Sequence, residues 1–239
     1  MCNLTTLFHS FEKPQHKKKM STVCEVGDAT INQSDLEILK AEKSWLNDNI
    51  ITFYFEWLKR DLGEKSRNLV FIHPSAAYML KILPLEELTC SVGRGSNPFL
   101  DAQKPETDII CVPVNDSEDP SIAGGSHWSL LIINKNDNIG YHYDSYYGHN
   151  DNVALKTLSC FNRLLFPINS SSQLKFEDAH SKQQQNGYDC GVYTLMNLLN
   201  IVVPGSIPEF SPEATVSFRK SLLNLVLKES EHYYNLQNS

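Results

Sequence analysis

Cys190 lies in Gln185-Asn186-Gly187-Tyr188-Asp189-Cys190-Gly191, which runs directly into the apolar stretch Val192-Tyr193-Thr194-Leu195-Met196-Asn197-Leu198-Leu199. The pattern predicts a helix that begins at Cys190. There the unpaired backbone N–H groups and the positive end of the helix dipole favour the thiolate, the form of cysteine that attacks carbonyls. A base for this nucleophile is His127, in Gly124-Gly125-Ser126-His127-Trp128.

His127 precedes two β-like runs, Trp128–Ile133 and Ile139–Tyr143, joined by the polar turn Asn134-Lys135-Asn136-Asp137-Asn138. A hairpin with a four-residue loop over 134–137 pairs Ile133 with Asn138, Ile132 with Ile139, Leu130 with Tyr141 and Trp128 with Tyr143. The last three pairs share an apolar face. The same register sets His127 opposite Asp144 on the other face, about 5 Å apart as for any cross-strand pair, where a carboxylate can orient an imidazole. A one-residue slip would part them by face. A lone cysteine is usually a small buried hydrophobe and a lone histidine usually structural. Together, in the order His127, Asp144, Cys190, they supply the base, orienter and nucleophile of a thiol hydrolase.

The chain resembles the ubiquitin-like-protein-specific cysteine proteases, the family of sentrin-specific proteases and deneddylases. Three separated stretches carry the likeness, from about 44 to 200: Ser44-Trp45-Leu46-Asn47-Asp48 with Ile50-Ile51, His127-Trp128-Ser129-Leu130 with Tyr143-Asp144-Ser145, and Gln184 through Gly191. The resemblance implies that Gln184 donates its side-chain amide to an oxyanion hole together with the backbone N–H of Cys190. Such a donor lowers the barrier to amide attack by ~3 kcal/mol. Gln183, Gln184 and Gln185 stand in a row, and only the family's spacing selects Gln184. It implies further that Trp45 and Trp128 cover a narrow tunnel for a Gly-Gly tail, with no room for a Cβ. Asp48 resembles the tail-binding carboxylate and is equally well placed as a helix N-cap. The implied fold is papain-like, α+β, with a central mixed sheet and helices packed around it. No metal and no organic cofactor is implied.

With 239 residues, 41% hydrophobic, the chain is long enough for one catalytic domain, expected over 26–239 behind a flexible extension over 1–25. No apolar run approaches a membrane span and Met1–Phe8 lacks the order of a signal peptide, so the expected location is cytoplasmic, nuclear or both. Six widely spaced cysteines, with no C-x-x-C pair, read as free thiols rather than a disulfide framework or zinc ribbon. A net charge of −7 disfavours nucleic acid as a partner, and the cluster Lys13, Lys17, Lys18, Lys19 reads as solvated or as a nuclear-import address. The expected protein is a monomer.

Helical periodicity marks a helix after Ser44 (Ile50, Phe53, Tyr54, Trp57, Leu58), others over Ser75–Leu83 and 151–166, one from Cys190 to Val203, and a last one capped by Ser211-Pro212-Glu213. Strand patterns fall at Leu69–Pro74, Asp108–Val114 and Leu174–Glu177, besides the hairpin. The loop 115–126, acidic then glycine-rich, is longer than that of the SUMO branch and resembles the deneddylase branch; by composition it is either a substrate surface or a solvated insertion. The activity implied is cleavage after the Gly-Gly tail of a Nedd-type modifier, from lysines such as those of cullins and from its precursor. The alternatives are a SUMO protease, a non-catalytic reader of such tails and a thioester-forming acyltransferase.

Overall fold

The computed structural model describes residues 22–89, 97–117, 124–167, 170–207 and 209–238. The chain opens with a hairpin of β1 (Thr22–Val26) and β2 (Ala29–Asn32), followed by α1 (Gln33–Lys40) and α2 (Asp48–Leu62). Residues 22–25, expected in the extension, are therefore part of strand β1, which buries Cys24 and Val26. Residues 1–21, the lysine cluster, Cys2, Cys90 and positions 118–123 of the acidic loop lie outside the described residues.

Next come β3 (Leu69–Phe71), α3 (Pro74–Ile82), the short α4 (Leu85–Leu88) and α5 (Pro98–Gln103). They lead into β4 (Ile109–Asn115), β5 (Trp128–Asn134) and β6 (Ile139–Tyr143), then α6 (Asp151–Leu165), β7 (Lys175–Asp178), α7 (Cys190–Val202) and α8 (Pro212–Gln237). Strands β3 to β7 form one sheet in sequence order, antiparallel at β4/β5 and β5/β6 and parallel at both edges. The sheet is mixed and the fold α+β, as the resemblance implied.

Strand β5 is buried without interruption from Trp128 to Ile133 because both faces of the sheet are covered. Leu130 and Ile132 enter a core shared with α2, α7, α8 and the β1/β2 hairpin. Leu131 and Ile133 enter a second core with α3, α5 and α6. Helix α7 is buried from Cys190 to Leu198, so it is apolar on all sides rather than along one stripe.

The hairpin register differs from expectation by two residues. The loop spans 135–138, Asn134 pairs with Ile139, Ile132 with Tyr141 and Leu130 with Tyr143. Moving the loop by one residue moves each pair by two, which returns every side chain to its predicted face. Asn138, at φ +55°, supplies the left-handed residue that closes the turn.

Gly191 lets the Trp45-Leu46 segment reach α7, since a Cβ there would come within 2.9 Å of Leu46 Cβ. We expect Gly191→Ala to cost about 1–3 kcal/mol by overpacking, read as a lowered melting temperature relative to wild type. An unchanged melting temperature would show that the segment yields freely.

Candidate active site

His127 is held by its backbone before its ring is considered. Asp116 Oδ1 accepts from Ser126 N at 2.6 Å and His127 N at 3.0 Å, and Asp116 Oδ2 accepts from Ser126 Oγ at 2.5 Å. The His127 carbonyl accepts from the amides of Asn115, at 3.2 Å, and Asn150, at 3.3 Å. Gly125 makes the approach possible: its φ is +103°, and a Cβ would sit 2.0 Å from Asn115 Oδ1.

With the backbone fixed, His127 Nε2 lies 2.6 Å from Asp144 Oδ1, and both side chains are buried. Asp144 also accepts from the N–H groups of Tyr146, at 2.8 Å, and Asn150, at 2.9 Å. In the observed register the strand partners pass diagonally, so the contact is made by the side chains across a two-residue offset and not by direct opposition. Burial alone would raise the Asp144 carboxyl, but the His127 hydrogen bond and the two backbone donors outweigh it and hold it below the ordinary carboxylate range. For His127, burial disfavours the charged ring, whereas hydrogen bonds to Asp144 and Cys190 and their charges favour it more strongly. The net value is raised to about 9. Since this lies above the ordinary 6.5, the imidazolium contributes stability that is complete below about 6.5 and lost as pH rises through about 9.

Cys190, the first residue of α7, is buried and within hydrogen-bonding reach of His127. With Nε2 turned to Asp144, the ring nitrogen left for the sulfur is Nδ1.

The three glutamines separate by their partners. Gln183 braces the Asp144 turn, donating to Asp144 O at 2.9 Å and accepting from Tyr147 N at 2.7 Å. Gln184 and Gln185 line a cavity with Cys190 and His127. Gln184 donates to Asn186 O and accepts from Ser145 Oγ, both at 2.7 Å, so a primary amide with two N–H groups keeps one for a further acceptor.

A second cavity, of about 370 Å³, also reaches Cys190 and is lined by Trp45, Asp48, Asn115, Gly124 and Trp128 among others. Trp128 is buried, with its indole N–H on Leu46 O at 2.9 Å; Trp45 is 49% exposed, with its indole N–H on Gly187 O at 2.6 Å. Trp45 is therefore no core anchor. Asp48 is not the N-cap of α2: Asn47 is, accepting from Ile50 N at 3.1 Å. Asp48 instead lines the cavity, where desolvation raises its carboxyl above the ordinary range.

Residues 44–223 match the family model described as the Ulp1 protease family, C-terminal catalytic domain. The chain belongs to the Ulp1 protease family. Among relatives of this Ulp1-family chain, the probable sentrin-specific protease 8 of Dictyostelium discoideum is 35% identical, covering 84% of this chain and 85% of that one. The NEDD8-specific protease 1 of Arabidopsis thaliana is 34% identical over 70% of each chain, and the human sentrin-specific protease 8 is 32% identical, over 71% of this chain and 76% of its own. In fold it is similar to the Chaetomium thermophilum Ulp1-like SUMO protease catalytic domain (TM-score 0.66, 20% identity, 87% and 83% coverage). It is also similar to the yeast Ulp1 protease domain solved with Smt3 (TM-score 0.62, 19% identity, 90% of each chain). The protein is a ubiquitin-like-protein-specific cysteine protease of this family.

Several residues that hold this site escape sequence reasoning. Asp116 and Asn150 show no local signal, although Asp116 stands 11 residues before the histidine it holds. The buried pair Asp189–Arg219, at 3.0 Å, ties α8 to the start of α7. Asp189 also accepts from Asn186 Nδ2 at 2.9 Å and Thr215 Oγ1 at 3.2 Å. Arg219→Met leaves a buried carboxylate unpaired and should cost about 3–5 kcal/mol in urea unfolding, most of it recovered in Arg219→Met/Asp189→Asn. Equal losses in the single and double variants would contradict the pairing.

Proposed function

We propose that the protein is a deneddylase in which Cys190 is the nucleophile, His127 the acid–base, Asp144 its orienter and Gln184 an oxyanion donor. The observation that carries this reading is the buried His127–Asp144 hydrogen bond, with Cys190 within reach of the same ring at the junction of two cavities. The Nedd-type substrate is supported by the relatives at 34–35% identity, one of which is named a NEDD8-specific protease.

The tail of the modifier enters the cavity between Trp45 and Trp128, and Asp48 receives its polar backbone. The Cys190 thiolate sulfur attacks the carbonyl carbon of the terminal glycine, and the oxygen takes the negative charge against the Cys190 N–H and Gln184. As the tetrahedral adduct collapses, the C–N bond breaks and the departing nitrogen takes the proton held by His127, leaving a thioester. His127 then removes a proton from water, hydroxide adds to the thioester carbonyl, and the sulfur leaves as the carboxylate forms. The departing amine is a lysine side chain of a conjugate, such as a cullin, or the α-amine of a precursor tail. The chain acts as a single catalytic domain that includes strand β1 from Thr22 onward, as a monomer, in cytoplasm or nucleus, without nucleic acid or membrane partners.

The test is reaction with C-terminal propargylamide forms of NEDD8, SUMO and ubiquitin, read as a mass shift on wild type and Cys190→Ala. We expect an adduct with the NEDD8 probe alone, absent in Cys190→Ala, which should still bind NEDD8. A SUMO adduct would move the assignment to that branch, and a NEDD8 adduct on Cys190→Ala would remove the nucleophile.

A further inference from the structure

The other cavity at Cys190, of about 460 Å³, is lined by Ser126, His127, Tyr146, His149, Gln185 and Asn186, among others, and shares only Ser126, His127 and Cys190 with the tryptophan cavity. Its rim is a turn with an unusual display of aromatic surface. Tyr146 is 54% exposed and its neighbour Tyr147 is 87% exposed. Tyr147 also has φ +38°, a conformation that costs free energy in a residue with a bulky Cβ substituent.

This turn is held at almost every step. Tyr146 N donates to Asp144 Oδ1 and Asn150 N to Asp144 Oδ2, at 2.8 and 2.9 Å. Tyr147 N donates to Gln183 Oε1 at 2.7 Å, and His149 N to Tyr146 O at 3.0 Å. Inside the turn, the rings of Tyr146 and His149 lie 6.0 and 5.1 Å from the His127 ring, centroid to centroid. A single exposed tyrosine needs no explanation. Two adjacent ones, on a strained turn whose backbone is braced beside the His127–Cys190 pair, present large amphipathic surface on a fixed backbone, the property of aromatic anchors in binding surfaces.

We propose that the Tyr146–His149 turn is the acceptor-side recognition surface: it receives the lysine stem of the conjugated protein and the residue beside it, the part that departs when the isopeptide bond breaks. This rests on the reading of Cys190 as nucleophile and of the tryptophan cavity as the tail site. The leaving nitrogen must meet His127 to gain its proton, and the cavity that holds His127 without the tryptophans is this one. Four methylenes of lysine fit along tyrosine faces, and a cationic neighbour gains from the same rings. The turn thus favours conjugates over substrates with a small leaving group.

The test compares kcat/KM on two substrates with the same modifier, one joined through its C-terminus to the lysine ε-amine of a peptide, the other ending in an ethyl ester. In Tyr146→Ala/Tyr147→Ala we expect the isopeptide-to-ester ratio to fall about tenfold, ~1.4 kcal/mol. The Phe/Phe variant should restore most of it. Tyr147→Ala alone, at the more exposed position, supplies the same reading if the double variant folds poorly, with a smaller fall. An unchanged ratio, including a parallel loss on both substrates, would overturn the proposal. Failure of wild type to cleave either substrate would overturn the reading on which it rests.

Discussion

The rest of the site depends on one buried hydrogen bond, between His127 Nε2 and Asp144 Oδ1. Two ionisable groups removed from water are costly unless each is compensated, and here each is. Asp144 is met by three donors, the imidazole and the N–H groups of Tyr146 and Asn150. That set keeps the carboxylate charged, and the charged carboxylate keeps the imidazole protonated toward alkaline pH. The Cys190 sulfur lies within reach of that ring.

The surrounding architecture serves to hold that contact. Strands β4, β5 and β6 carry Asn115, the residues after His127 and the residues before Asp144, and both sheet faces are packed, so the strands cannot slide without exposing a core. Cys190, the proposed nucleophile, is carried on a helix buried from Cys190 to Leu198, locked at its first turn by Leu46 against Gly191 and by Arg219 against Asp189. The two indole N–H groups of Trp45 and Trp128 stitch the 45–46 segment to the Gly187 loop and to β5. The helix half and the sheet half of the fold therefore meet at Cys190 and His127.

How much of this was legible in the sequence depended on the range of the signal. The start of α7 at Cys190 and the hairpin after His127 are local patterns, and both stand where the residues indicated. The register differs by two because apolar alternation repeats every two residues and cannot distinguish such a shift; the discriminating feature is Asn138 in a left-handed conformation. Asp48 reads equally as a tail-binding carboxylate and as a cap, since adjacent Asn and Asp are both good caps, and the bond from Ile50 N to Asn47 separates them. Asp116, Asn150 and Arg219 could not be found this way. Their partners lie 11, 23 and 30 residues away, and tertiary packing alone brings them together.

The most direct test of this account is an NMR pH titration of the His127 imidazole in wild type and in Asp144→Asn. The wild-type ring should remain protonated through neutrality and titrate near 9, and the neutral side chain at position 144 should bring the midpoint down toward the ordinary 6.5. A wild-type midpoint at or below 6.5, or one that Asp144→Asn leaves in place, would contradict the claim that the buried carboxylate holds the imidazolium charge in place.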